Sequence, residues 1–223
     1  MTRTLGIATI GQAPRDDIAA LFAAHAPPAT RVVLRGCLDG LTDEEIAARP
    51  PVNNGDTLYT RLRGGHDVII SKAHVIERAP EALARLRDDG ADVLVFACTG
   101  EFPHMPGDAG VLFPSRVLNG MVESLLPVGR LGLLISLPEQ AEKSIAKRQR
   151  EGLEVVAESL RPSAEPADIR AAAARLKAQR PDVVAMDCMS YAPETKALVK
   201  AEVGVPTLLA ITATGHVIGE VLA

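Results

Sequence analysis

Short apolar runs alternate along this chain with longer stretches whose apolar residues recur at helical spacing. The run "TLGIATIG" (4–11) is rich in β-formers and closes on glycine, the mark of a buried strand. Behind it, "RDDIAALFAAHA" sets Ile18, Leu21 and Phe22 on one helical face after acidic first-turn residues. "RVVLRGCL" reads as a second strand, and "RAPEALARLRDDGA" as a helix with Leu83 and Leu86 inward and a stop at Gly90. That helix feeds the strand "DVLVFA". Then "GDAGVLFPSRVLNGMVESLLP" gives a short strand or turn and a helix, and "GRLGLLISLPEQ" a strand. "AEKSIAKRQREGLEVVAESL" holds a helix running into an extended segment, followed by the helix "ADIRAAAARLKAQRP", the strand "DVVAMDC" and the helix "APETKALVKAEVG". "VPTLLAIT" and "ATGHVIGEVLA" close the chain as strand and helix. Such alternation predicts an α/β fold with mostly parallel sheets and helices on both faces.

One region breaks the rhythm, about 39–75. "LTDEEIAARP" predicts a short helix opened by Thr42, with Glu45 completing a capping box. The turn residues "PPVNNGD" then precede two alternating runs, "TLYTRLR" and "HDVIISKAHV", joined by Gly64-Gly65. Gly-Gly between alternating runs predicts a β-hairpin, inserted in the first half of the chain. Lys72 and His74 fall on one face of its second strand, either as part of a lid or as a solvated face.

The two halves echo one another. "LGIATIGQAP" and "LGLLISLPEQ" each carry a Leu-Gly-led strand into a Pro-containing polar loop, and "GADVLVFACTG" and "RPDVVAMDCMS" each end an Asp-Val strand on cysteine. The order is the same in both. The echo predicts two similar lobes facing one another across an active-site cleft: residues 1–127, including the insertion, and residues 128–223, with the last helix packing back on the first lobe.

Composition narrows the function classes. A net charge of −4 argues against nucleic acid or an anionic membrane as partner. No apolar run approaches the roughly 20 residues of a membrane span, and the N-terminus lacks a secretory pattern, so a cytoplasmic protein is expected. The three cysteines, Cys37, Cys98 and Cys188, lack the close spacing of zinc sites, and no metal or cofactor is expected.

A single cysteine at a strand end is ordinarily packing. Two in matching positions suggest a different chemistry, thiols on opposite sides of one substrate carbon. One removes the proton next to a carboxylate or carbonyl, and the other delivers a proton to the opposite face. Backbone N–H groups around Thr99-Gly100 and Met189-Ser190 suit a carboxylate whose charge spreads as the carbanion forms. Cys37 lies outside the pattern and reads as structural.

The segments "TIGQAPRDDI", "LDGLTDEEIAARPP", "TRLRGGHDVIISKAHV", "LFPSRVL", "LISLPEQ" and "MDCMSY" together resemble the AroM family, within the larger aspartate/glutamate/hydantoin racemase superfamily. The resemblance runs across nearly the whole chain. It implies two similar α/β lobes with the active site between them, and proton transfer by a cysteine from each lobe without pyridoxal phosphate or metal. On that basis Cys98 and Cys188 are the catalytic candidates, with Thr99 and Ser190 at the substrate carboxylate. Racemases of the group often follow the first cysteine with Asn-Thr and the second with Thr-His. Here Thr99-Gly100 and Met189-Ser190-Tyr191 stand in those places, and no histidine follows Cys188.

The full set of candidate substrate contacts is Gly11, Gln12, Arg15, Thr99, Gly100, Pro138, Met189, Ser190 and Tyr191. Gln12 and Arg15 sit between a strand and a helix, where an anion can be held; Arg15 has an equal second reading as an ion-pair partner of Asp16 or a glutamate. Glu139 reads first as a helix first-turn acid, and His104 and His216 as surface residues. The leading expectation is a cofactor-independent racemase or isomerase of a small carboxylate, an amino acid or related compound. The alternatives are a single-thiol decarboxylase or cis–trans isomerase, and a non-catalytic binding protein that kept the cleft. A homodimer is expected only by analogy with the superfamily.

Overall fold

Thr4–Thr9 (β1) is buried at every position because it is paired on both sides, with Arg31–Gly36 (β2) on one edge and Val93–Phe96 (β5) on the other. Val111–Leu112 (β6) adds to β5, giving a parallel sheet of order β2-β1-β5-β6. The same order recurs in the second half. Gly129–Ile135 (β7) is central, with Leu153–Ser159 (β8) on one side and Val183–Met186 (β9), then Thr207–Leu209 (β10), on the other. The computed structural model describes residues 2–223. It divides into two compact units, Met1–Pro114 with Thr214–Ala223, and Ser115–Ala213.

The sequence echo is a structural repeat down to its register. Leu5 stands opposite Val93 and Gly6 opposite Leu94; Leu131 stands opposite Val183 and Gly132 opposite Val184. Each glycine makes room for the helix that leads into the cysteine strand. A Cβ on Gly6 would lie 2.7 Å from Ala91 and 3.4 Å from Leu86, and on Gly132 3.0 Å from Pro181 and 3.2 Å from Leu176. The aspartate before each cysteine strand also does the same work. Asp92 Oδ2 accepts the Thr4 N–H at 2.7 Å, and Asp182 Oδ2 accepts the Arg130 N–H at 2.7 Å. "Asp-Val" is thus a carboxylate fastening the start of the central strand, then the first residue of its neighbour.

Helices flank each sheet: Asp16–Ala23 (α1) and Lys72–Asp88 (α3) in the first unit, and Ala141–Ala146 (α5), Pro166–Ala178 (α6) and Pro193–Val203 (α7) in the second. Pro114–Leu125 (α4), which the sequence reading gave to the first lobe, groups almost wholly with the second unit. The last helix, Ala210–Leu222 (α8), starts at the end of β10 rather than after a longer strand. Most of it groups with the first unit, where Gly219 has its Cα so close to α1's exit that a Cβ would lie 2.5 Å from the His25 carbonyl oxygen. His216 lies inside this helix, its ring edge-on to His25 at 4.8 Å.

The insertion folds as its turn chemistry predicts, with one correction. Thr42 and Glu45 form the reciprocal capping box of Asp43–Ala47 (α2). Thr57–Arg61 (β3) and Asp67–Ser71 (β4) pair as an antiparallel hairpin across Gly64-Gly65, the second of which has φ +83°. The hairpin ends at Ser71. That residue caps α3 by accepting the His74 N–H at 3.2 Å, so Lys72 and His74 are first-turn helix residues and not strand neighbours. The buried Asp56 carboxylate explains the early start. It accepts N–H groups from Ala73 at 2.7 Å and Val52 at 3.2 Å and the Ser71 hydroxyl at 2.8 Å, a favourable negative charge at a helix N-terminus. Desolvation pushes that carboxyl up, but these hydrogen bonds and Lys72 outweigh it and hold it below its ordinary range.

No helix among the described residues is long and apolar enough to cross a membrane.

Candidate functional site

In each sheet the second strand lies on one side of the first and the third strand on the other, so chain progression reverses at the first strand. Ligands of open parallel sheets bind at such reversals, beyond the carboxyl ends of the strands. Cys98 and Cys188 lie there, each just past the third strand of its unit. The backbone leaves the sheet through a matching hydrogen bond in both. Ala97 donates its N–H to the Ala8 carbonyl at 2.7 Å, and Asp187 to that of Leu134 at 2.8 Å. The chain then curls back on the sulfur. Gly100 N–H points at Cys98 Sγ at 3.3 Å, and Ser190 N–H at Cys188 Sγ at 3.5 Å. A donor aimed at sulfur favours its ionised form, the form that accepts a proton or attacks carbon. Both residues are 7% exposed.

The surroundings of the two thiols differ. Beneath Cys98 lies an aromatic cluster, Phe96 against Phe102 at 4.9 Å and against Phe113 at 5.7 Å. The hairpin closes over this corner. A Cβ on Gly100 would lie 3.2 Å from Leu58 Cδ2, and one on Gly11 2.6 Å from Thr60 Oγ1. Cys37 belongs to the same core. Burial pushes its thiol well up, the neighbouring Cys98 and Asp39 push the same way, and Arg78 only partly opposes them. Cys37 is a protonated packing residue, as its sequence position implies.

Beside Cys188 the chain places charge instead. The Asp187 carboxylate meets the Arg148 guanidinium at 2.8 Å, with side chains 7% and 4% exposed. Arg148 is held in turn by the Asn119 side-chain oxygen, which accepts from Nε at 2.9 Å, and by the Ser144 carbonyl at 3.4 Å. The residue matching Asp187 in the first unit is Ala97, buried and apolar.

The family comparison gives this geometry its context. The AroM protein family model matches residues 5–222. The chain belongs to the AroM family. No curated protein sequence matches it. Among solved structures, unliganded arylmalonate decarboxylase superposes with a TM-score of 0.60 at 18% identity, covering 99% of this chain and 92% of that one. The maleate isomerase from Pseudomonas putida S16 superposes at 0.61 and 16% identity, covering 96% and 90%. A glutamate racemase from Bacillus anthracis does so at 0.63 and 14% identity, covering 99% and 81%. At these identities the likeness establishes the two-lobed α/β fold.

Within this AroM-family chain, the other expected contacts divide into those near a thiol and those committed elsewhere. Thr99 and Gly100 share the Cys98 loop and are half-buried; Met189 and Ser190 share the Cys188 loop. The Tyr191 ring is completely buried and its hydroxyl donates to the Leu160 carbonyl at 2.6 Å, which makes it an anchor for the loop. Gln12 has an internal task. Its Nε2 donates to the Leu41 carbonyl at 2.8 Å and its Oε1 accepts the Arg63 N–H at 3.2 Å, so it ties the β1 loop to the insertion. Gly11 packs under β3, where no side chain fits.

Arg15 is buried and forms a two-point pair with Asp17, Nε to Oδ1 at 2.9 Å and NH2 to Oδ2 at 2.8 Å; the partner is Asp17 rather than Asp16. Burial pushes the Asp17 carboxyl up, yet the Arg15 hydrogen bond and charge leave it below its ordinary range. Pro138 is exposed at the start of a 3-10 turn, Pro138–Gln140, in which Glu139 is the first-turn acid. His104 is exposed and faces Asp108 at 3.3 Å. Among the described residues, no group of three or more His, Cys, Asp or Glu is placed to hold a metal ion.

Sequence reasoning passed over Asp39 and Asp187. Asp39 Oδ1 accepts the Ala13 N–H at 2.8 Å and Oδ2 the Gly36 N–H at 2.7 Å, joining the loops after β1 and β2. Asp187 stood in plain view beside Cys188, but its partner Arg148 lies in a charged stretch, "AKRQRE", in a distant part of the chain.

Proposed function

We propose that this chain is a cofactor-independent racemase or isomerase of a small carboxylate, with Cys98 and Cys188 as its proton-transferring thiols. The observation that carries the reading is the repeat: two thiols at equivalent switch points, each with its own backbone N–H two residues on aimed at sulfur. One thiolate removes the proton next to the carboxylate, and the other thiol returns a proton to the opposite face. Thr99 and Met189 supply backbone N–H groups, and Ser190 its hydroxyl, for the carboxylate as charge moves onto it. The superposed structures are a glutamate racemase, a maleate isomerase and an arylmalonate decarboxylase, which is consistent with a small carboxylic acid as the substrate.

A one-thiol reaction is the second reading, favoured by the unlike surroundings of the cysteines, Ala97 before one and the Asp187–Arg148 pair before the other. Product stereochemistry separates the two. Opposed thiols racemise an enantiopure substrate, whereas one thiol yields a single enantiomer or a single geometric isomer. A third outcome, ligand binding with both thiols inert to alkylation, marks a binding protein.

A further inference from the structure

The repeat makes the buried charge in one of the cysteine loops conspicuous. Both cysteine loops leave the sheet through a matching N–H···O bond and aim an N–H at their own sulfur, yet the residue before Cys98 is a buried alanine and the residue before Cys188 is a buried carboxylate. A buried carboxylate next to a thiol opposes ionisation of that thiol, since two negative charges in a poorly solvated place repel. Here the carboxylate is matched by the Arg148 guanidinium at 2.8 Å, itself 4% exposed and oriented by Asn119 and Ser144. Arg148 follows α5 and Asn119 lies on α4, so the pair anchors the Cys188 loop to two helices of its own unit. Desolvating both charges is costly unless the geometry is held, and removing one partner leaves the other uncompensated. Such a pair is out of place as mere support for a loop that the first unit builds with alanine.

We propose that Arg148, acting through Asp187, is the positioning residue of the Cys188 thiol: it fixes the loop and keeps the charge beside that sulfur balanced. The inference deepens the two-thiol reading and rests on it only in taking Cys188 as a working thiol. Its signature is a pair of opposite effects. Asp187→Asn leaves an unmatched positive charge, which favours the Cys188 thiolate; Arg148→Gln leaves an unmatched negative charge, which disfavours it. A purely structural role moves both variants the same way, because both break the same contact.

The test is the iodoacetamide alkylation rate of Cys188 in the folded full-length protein at neutral pH, resolved from Cys98 and Cys37 by peptide mass spectrometry. A change of one unit in thiol pKa is about tenfold in thiolate fraction. The expected result is Cys188 alkylation rising about tenfold in Asp187→Asn and falling about tenfold in Arg148→Gln. If a single variant does not fold, the double variant, which buries no net charge, carries the test. Its Cys188 rate is expected within about threefold of the unsubstituted protein, and a larger departure overturns the proposal. Shifts of the same sign in both single variants, unchanged rates, or a Cys188 inert in every form also overturn it. Failure of the two-thiol reading looks different: α-proton exchange then persists without the cysteines, whatever the alkylation rates do.

Discussion

Gly100 donates its backbone N–H to Cys98 Sγ at 3.3 Å, in a corner where a Cβ would lie 3.2 Å from both Leu58 Cδ2 and Phe102 Cε2. The thiol loop and the inserted hairpin are therefore packed to contact at that glycine. Gly100→Val is expected to push the loop off Leu58, costing about 1–3 kcal/mol of stability as overpacking does and altering Cys98 alkylation. Urea unfolding and peptide-resolved alkylation check it. A valine variant with unchanged stability and unchanged Cys98 rate contradicts the contact.

The two sheet glycines allow a comparison inside one molecule. A Cβ on Gly6 would lie 2.5 Å from Leu94 Cδ2 and 2.7 Å from Ala91 Cβ, but on Gly132 no nearer than 3.0 Å to Pro181. Gly6→Ala is expected to destabilise by about 1–3 kcal/mol, and Gly132→Ala by less. Thermal or urea unfolding of the two variants checks the order.

Tyr191→Phe removes the hydroxyl that donates to the Leu160 carbonyl at 2.6 Å and leaves that buried oxygen without this donor. The expected cost is about 1–3 kcal/mol of stability. Apparent substrate affinity is expected to stay within about twofold, because the ring is fully buried. A large rise in KM with unchanged stability would contradict the anchoring role.

His74 gives the fold a pH dependence of known sign. Burial, with Arg49 and Arg78 adding to it and Glu77 opposing, holds its imidazole below the ordinary 6.5. The unfolded chain then binds that proton more readily than the folded one, so stability is lost as the pH falls below 6.5 and levels off beneath the folded value. Above that window both states are neutral there and the residue adds no slope. His74→Gln is expected to flatten the stability–pH curve on the acid side, measured by urea unfolding from about pH 7.5 to about pH 5. An unchanged curve contradicts the assignment.

What the sequence disclosed, and what it hid, follows from the range of the interactions. Local chemistry was legible: the Thr42–Glu45 capping box, the Gly64-Gly65 hairpin and the strand–helix alternation all depend on near neighbours. The repeat was legible because Leu5-Gly6 and Leu131-Gly132 meet the same steric demand, and Asp92 and Asp182 the same backbone donor. Long-range partners were not. Lys72 and His74 alternate like strand residues, and only the distant Asp56 turns them into the first turn of a helix. Nothing local to Tyr191 tells that its hydroxyl donates to the Leu160 carbonyl, 31 residues away. Arg148 gave no hint of burial, since its place in the core depends on Asp187 and Asn119, both far along the chain.

The proposed chemistry requires both Cys98 and Cys188 as proton-transfer groups. It is tested most directly by solvent-deuterium exchange at the α-carbon of L-aspartate, L-glutamate and arylmalonate-type acids, followed by NMR with the intact protein, Cys98→Ala and Cys188→Ala. The expected result is deuterium incorporation into at least one acid by the intact protein, and a loss of at least about 100-fold in each alanine variant. Full exchange in both variants would contradict the claim.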